Sequence, residues 1–143
     1  MDDSKQTGQN NFNPLTDKGR SEVWGGEIDT KRFDSSLKLG YVFPQLPFQS
    51  FGFQFSYSNH NQDSYFGLKT YDISHQSVYS NLLFNSIIGD TRNKFTTRLN
   101  FTYDVYDEFV NSINFSREEN SFGGFFEYAY DNSDNFSLTS GVR

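Results

Sequence analysis

The chain has 143 residues, of which 34% are hydrophobic and 27 are aromatic (17 Phe, 9 Tyr, 1 Trp), with one alanine, Ala129, and no cysteine. An apolar fraction this far below the roughly 45–50% of soluble domains leaves little for a two-layer core, while the wealth of aromatics excludes disorder. The net charge of −6 argues against nucleic acid as a partner, and the lack of cysteine excludes disulfides and thiolate metal sites.

Ala, Leu and Glu are scarce beside Ser, Asn, Thr and the aromatics, so strands are expected in place of helices. No apolar run of about 20 residues is present to cross a membrane as a helix, and residues 2–20 are too polar for a signal peptide. Residues 1–27 read as a loop or disordered N-terminal segment, since Gly8, Pro14 and Gly19 punctuate a mostly polar stretch.

From Lys31 the pattern becomes an alternation of period two. Phe33, Ser35, Leu37, Leu39, Tyr41 and Phe43 point one way, and Arg32, Asp34, Ser36, Lys38, Gly40 and Val42 the other. After a turn at 44–47, Phe51, Phe53, Phe55 and Tyr57 continue the apolar phase. A third strand carries Val78, Leu82, Phe84 and Ile88, and a fourth Phe95, Leu99, Phe101, Tyr103 and Val105. Phe122, Phe126, Tyr128 and Tyr130 mark a fifth, and Phe136, Leu138 and Val142 a sixth. Over the six strands the apolar phase has 31 positions, 16 of them aromatic and none charged; the polar phase has 8 charged residues and only 2 aromatic ones.

A soluble sandwich also alternates, so the connections enter the argument. Short turns are expected at 44–47, 89–93 and 131–134, and long polar connections at 59–74 and 106–120, sorted to opposite ends as in transmembrane barrels. Apolar-phase segments of about 9–13 residues suit a tilted membrane-crossing strand, against about 5–6 in soluble sheets. Tyr41, Tyr128 and Tyr130 near the short turns, and Tyr57 and Tyr103 near the long connections, have the placement of interfacial girdles. The fold class is therefore all-β, an antiparallel up-and-down meander forming a partial transmembrane barrel of about six strands.

The runs SEVWGGEIDTKRFDSSLKLGYVFP, SHQSVYSNLLFNSIIGDTRNKFTTRLNFTYDVYDEFVN and FFEYAYDNSDNFSLTSGVR resemble the barrel of a TonB-dependent outer-membrane receptor from about Ser21 onward. Such barrels have about 22 strands around a plug, so the resemblance implies a fragment. Residues 1–27 would be an extracellular loop or disordered segment, and 28–143 part of the barrel domain. It further implies a Gram-negative outer membrane, lipid on one face, a nutrient ligand such as a siderophore, corrinoid, metal chelate or oligosaccharide, and coupling to the TonB complex through plug and box segments that are missing here. A passive porin or adhesin-like barrel and a soluble carbohydrate-binding sandwich are the alternatives.

Four residues are candidate ligand contacts. His60 and His75 flank the first long connection with Asp63 and Asp72 nearby, a donor set that suits a metal chelate, although their spacing matches no metal motif and solvated loop histidines are the favoured reading. Trp24 beside Gly25 and Gly26 could stack on a ligand, but an interfacial anchor or packing on a neighbouring loop is the favoured reading. Arg117, with Glu118 and Glu119, forms a charge cluster in the second long connection, suited to selecting a charged ligand or simply to a solvated tip. His75 with Ser77 is the only close base–nucleophile pair and lies on the polar phase, so no catalytic, cofactor or resident metal site is expected and the chain is read as a non-enzyme. The acidic run at 131–134 lacks the glycine and distal glutamate of a calcium loop, and the sequons at Asn100, Asn114 and Asn135 are what an alternating strand spells.

Overall fold

The structure, a computed structural model, describes residues 1–13, 15–20, 22–132 and 136–143. Its strands are β1 (Asp2–Gly8), β2 (Gly25–Phe43), β3 (Leu46–Phe66), β4 (Lys69–Ile88), β5 (Asp90–Val110), β6 (Ile113–Asp131) and β7 (Ser137–Val142). They form one antiparallel meander in which each strand pairs with its neighbour in sequence, and the sheet does not close into a barrel.

Every strand expected from the alternation is present, but two expectations about what lies between them are corrected. The long connections at 59–74 and 106–120 do not exist. β3 runs on to Phe66 and β4 starts at Lys69, leaving Gly67 and Leu68 as the turn; β5 runs to Val110 and β6 starts at Ile113, leaving Asn111 and Ser112. β2 to β6 are accordingly 19 to 21 residues long, not 9–13. Beyond the apolar stretch polar residues such as Asp63, Asp72 and Glu118 enter the apolar phase and apolar ones such as Ile73 and Phe115 the other, so the hydrophobic period is lost while backbone pairing continues. The turns are tight for a local reason: Gly67 has φ 61°, and Asn111 and Ser112 have φ 47° and 73°, the positive values that match a two-residue hairpin to strand twist. Asn111 is also tied back to β4, its amide donating to the Thr70 carbonyl at 3.1 Å and its side-chain oxygen accepting from the Thr70 amide at 3.1 Å. Sorting of loops by length to one end is therefore no argument for a barrel.

The second correction concerns residues 1–27, which are not all loop. Asp2–Gly8 is a strand, paired with β2 from Asp2↔Lys31 to Gly8↔Gly25. All seven of its residues are exposed, so it has no apolar phase to betray it. Phe12 covers the facing glycines at its end: a Cβ on Gly25 would lie 2.3 Å from that ring. A ring over a cross-strand glycine pair restores the contact that the missing side chains cannot make. The 131–134 turn, the Asn135 sequon and Pro14 fall wholly or partly outside the described residues.

The chain divides into two compact units. Unit 1 comprises Met1–Ser35, Tyr57–Ser77 and Asp104–Glu119; unit 2 comprises Ser36–Ser56, Val78–Tyr103 and Asn120–Arg143. Their chemistry differs sharply. Unit 1 holds 21 of the 30 charged residues and a net charge of −7, whereas unit 2 has a net charge of +1 and 12 of the 17 phenylalanines. In unit 2 the apolar phase forms a real surface: Phe84 stands 5.8 Å from Phe95, and Phe95 6.1 Å from Phe126, across three strands. Tyr128 donates its hydroxyl to Asn93 on the same face. The opposite face of unit 2 carries a polar ladder, with Thr96 donating to Asn85 at 2.8 Å and Asn85 to Ser50 at 3.3 Å.

Among the described residues no core lies beneath either face. Among the described residues Tyr65 is the only buried hydrophobic one, and no large side chain is fully enclosed. A single-layer sheet has no second layer to cover its aromatic face, and in water that face would be left bare.

Candidate functional site

Three side chains of unit 1 meet on the opposite face of neighbouring strands. His75 of β4 stacks on Tyr106 of β5 with ring centroids 4.2 Å apart and an angle of 4° between planes. Arg117 of β6 places its guanidinium carbon 4.1 Å from the centre of the same ring. Carboxylates flank both ends: His75 Nε2 is 3.0 Å from Asp104 Oδ1, and Arg117 donates to Glu108 at 2.9 Å and to Glu119 at 3.0 Å. The alternation explains the meeting. Asp104, Tyr106 and Glu108 share one phase of β5, and antiparallel pairing lays β4 and β6 on either side.

The arrangement corrects where the candidate contacts were expected to lie. His60 and Arg117 are within β3 and β6, not in a loop or at a loop tip, while His75 lies on the polar phase of β4, as expected. His75 and Arg117 are brought together through Tyr106, a residue the expected 106–120 connection hid. The signal for it was an alternation of Asp104, Tyr106 and Glu108 that continues past Val105. His60 and His75 are equally far from the Gly67–Leu68 turn on adjacent strands, and His60 Nδ1 is enclosed with no hydrogen-bond partner among the described residues. No group of three or more His, Asp or Glu among those residues is arranged to hold a metal ion.

Trp24 stands apart from this stack. Its indole edge lies 3.0 Å from where a Cβ on Gly67 would sit, so it packs on the β3–β4 turn and leaves about half its surface, 47%, exposed. Close by, Lys18 Nζ lies 4.7 Å over the Tyr65 ring and 3.8 Å from Glu27. Burial, and then the Glu27 charge, push the Tyr65 phenol above its ordinary value.

The charged members of the stack are paired with one another. Arg117 is pulled down by desolvation but held above its usual range by Glu108 and Glu119, so it stays charged. Burial pushes the Asp104 carboxyl up, but Ser77 and the His75 contact together hold it below its ordinary value. Compared with protein-family models and with curated proteins, the chain matches none.

Proposed function

We propose that unit 2 is a membrane-crossing wall and that the chain is a segment of an outer-membrane β-barrel of the TonB-dependent receptor kind, serving energy-coupled uptake of a nutrient. The observation that carries this reading is the uncovered aromatic face of a single-layer sheet. Thirteen large hydrophobic residues of its apolar phase in unit 2, among them Leu37, Leu39, Phe101, Phe122 and Leu138, are exposed. At roughly 25 cal/mol per Å² of apolar surface, a face of this size in water opposes solubility, and lipid is the solvent that matches it. No helix of the described residues is long and apolar enough to cross a membrane, which leaves crossing by strands open.

Segregation of charge supports the same assignment. The apolar phase of unit 2 carries no charge within its strands, and Tyr57 and Tyr103 stand where units 1 and 2 adjoin in sequence, as girdle residues would. The crossing segments are the parts of β2 to β7 that lie in unit 2; the acidic unit 1 then belongs to the aqueous side. The bare outer edges of β1 and β7 would pair with further strands of a barrel.

The test is partition. Refolded with phospholipid vesicles, the chain is expected to float with them, and without detergent or lipid to aggregate. A monodisperse monomer in salt buffer by light scattering would overturn the reading.

A further inference from the structure

We infer that the opposite face of unit 2 holds a binding recess for a small carboxylate-bearing solute, centred on Arg98. The sequence as a whole is acidic, which would point to cationic ligands, but the charge on this face has the other sign. Lys38, Lys94, Arg98 and Arg143 share it with Glu127 and Asp131, while Arg92 and Asp90 offset each other at the start of β5. None of the four cations has a carboxylate within 4 Å among the described residues, whereas Arg32 and Arg117 of unit 1 are each held by Asp or Glu at 2.8 to 3.0 Å. Arg32 and Arg117 are neutralised locally; Arg98 is not.

Arg98 also has a cavity to serve. A recess of about 390 Å³ is lined by Arg98, Tyr79, Asn100, Phe125 and Glu127. The side chains of Tyr79 and Asn100 make no hydrogen bond among the described residues, so a hydroxyl and an amide are available beside the guanidinium. Thr96, by contrast, is committed to Asn85. Phe125 supplies an apolar plate, 5.9 Å from the Arg98 guanidinium carbon. Gly123 makes the room: a Cβ there would lie 2.5 Å from Asn100 Oδ1 and displace the amide from the recess.

Planar guanidinium forks match carboxylates bidentately, and an uncompensated one in a recess gains more from such a partner than one already paired. Glu127 on the wall opposes a second or third negative charge on the ligand. The geometry therefore suits one carboxylate joined to a flat apolar group that lies on Phe125, and it disfavours polyphosphates. This deepens the proposed wall reading by naming a solute class, and it rests on that reading only for the route by which the solute arrives.

The test uses the refolded chain in detergent micelles, titrated with sodium benzoate while backbone amide shifts are followed by NMR, with acetate and sodium chloride as comparisons. Saturable shifts at residues 96–100 and 123–127 are expected with benzoate, weaker with acetate and absent with chloride. Arg98→Gln should weaken benzoate binding about tenfold or more, Arg98→Lys should fall between, and Lys31→Gln should leave it unchanged. Circular dichroism checks that each variant keeps its strands. Shifts that fail to saturate by about 50 mM, shifts that chloride reproduces, or an Arg98→Gln affinity within about twofold of the parent would overturn the inference. Vesicle flotation is read separately, so the recess can fail while the membrane assignment stands, and the reverse.

Discussion

Phe101 and Thr102 are adjacent on β5, in unit 2, and point to opposite faces. Introducing the same charge at each asks which face meets lipid. Phe101 is 41% exposed and close to the middle of the apolar phase of β5, between Leu99 and Tyr103. An arginine on the lipid side near the bilayer midplane costs about 2–4 kcal/mol, whereas one facing a wet interior costs about 0–1 kcal/mol. Phe101→Arg should therefore destabilise the vesicle-bound fold by about 1–4 kcal/mol more than Thr102→Arg, a factor of at least about 5 in the folded-to-unfolded ratio. Urea titration in vesicles, followed by circular dichroism, measures both. Were the sheet a water-soluble one, the order would invert, because Phe101 would already face solvent and Thr102 is half-buried. Equal losses, or a larger loss at Thr102, would refute the assignment of the aromatic face to lipid.

Tyr106→Ala removes the ring shared by His75 and Arg117 and should cost about 1–3 kcal/mol in the same urea assay, while Tyr106→Phe, which keeps the ring, should stay within about 0.5 kcal/mol. Near the N-terminus Asp17 accepts hydrogen bonds from the Asn13 amide at 2.9 Å and the Thr16 hydroxyl at 2.9 Å, which hold its carboxyl below the ordinary value. A depressed carboxyl contributes order that is present above its unfolded pKa and lost as pH falls through the folded one. Carboxyl NMR should give an Asp17 midpoint below 3.8, with the Asn13 amide shift following the same curve; a midpoint at or above 3.8 would count against the turn.

How much was legible in the residues depends on where they lie. Through Phe33–Phe43 or Phe95–Val105 a period of two with no charge on one phase can be met only by a strand with one apolar face, so those strands and both their faces were readable. At Asp63, Asp72 and Glu118 polar residues occupy the formerly apolar phase, and the period that signals a strand disappears although the ladder continues. The Asn111–Ser112 pair looked like the interior of a long loop because neither residue is glycine, and only its positive φ values reveal a turn. β1 had no pattern at all and exists because β2 offers it an edge.

The candidate sites show the same division. His75, Tyr106 and Arg117 are separated by 31 and 11 positions in the chain, and nothing local joins them. Strand register does, and register depends on turns that alternation cannot locate. Likewise the net charge of −6 is one number in the sequence, whereas its division into −7 and +1 follows from which segments pack together. Side-chain periodicity is a property of neighbouring residues and so belongs to the sequence. The meeting of the aromatic stack and the unpaired charge of Arg98 are properties of strands aligned side by side, and only the tertiary structure decided them.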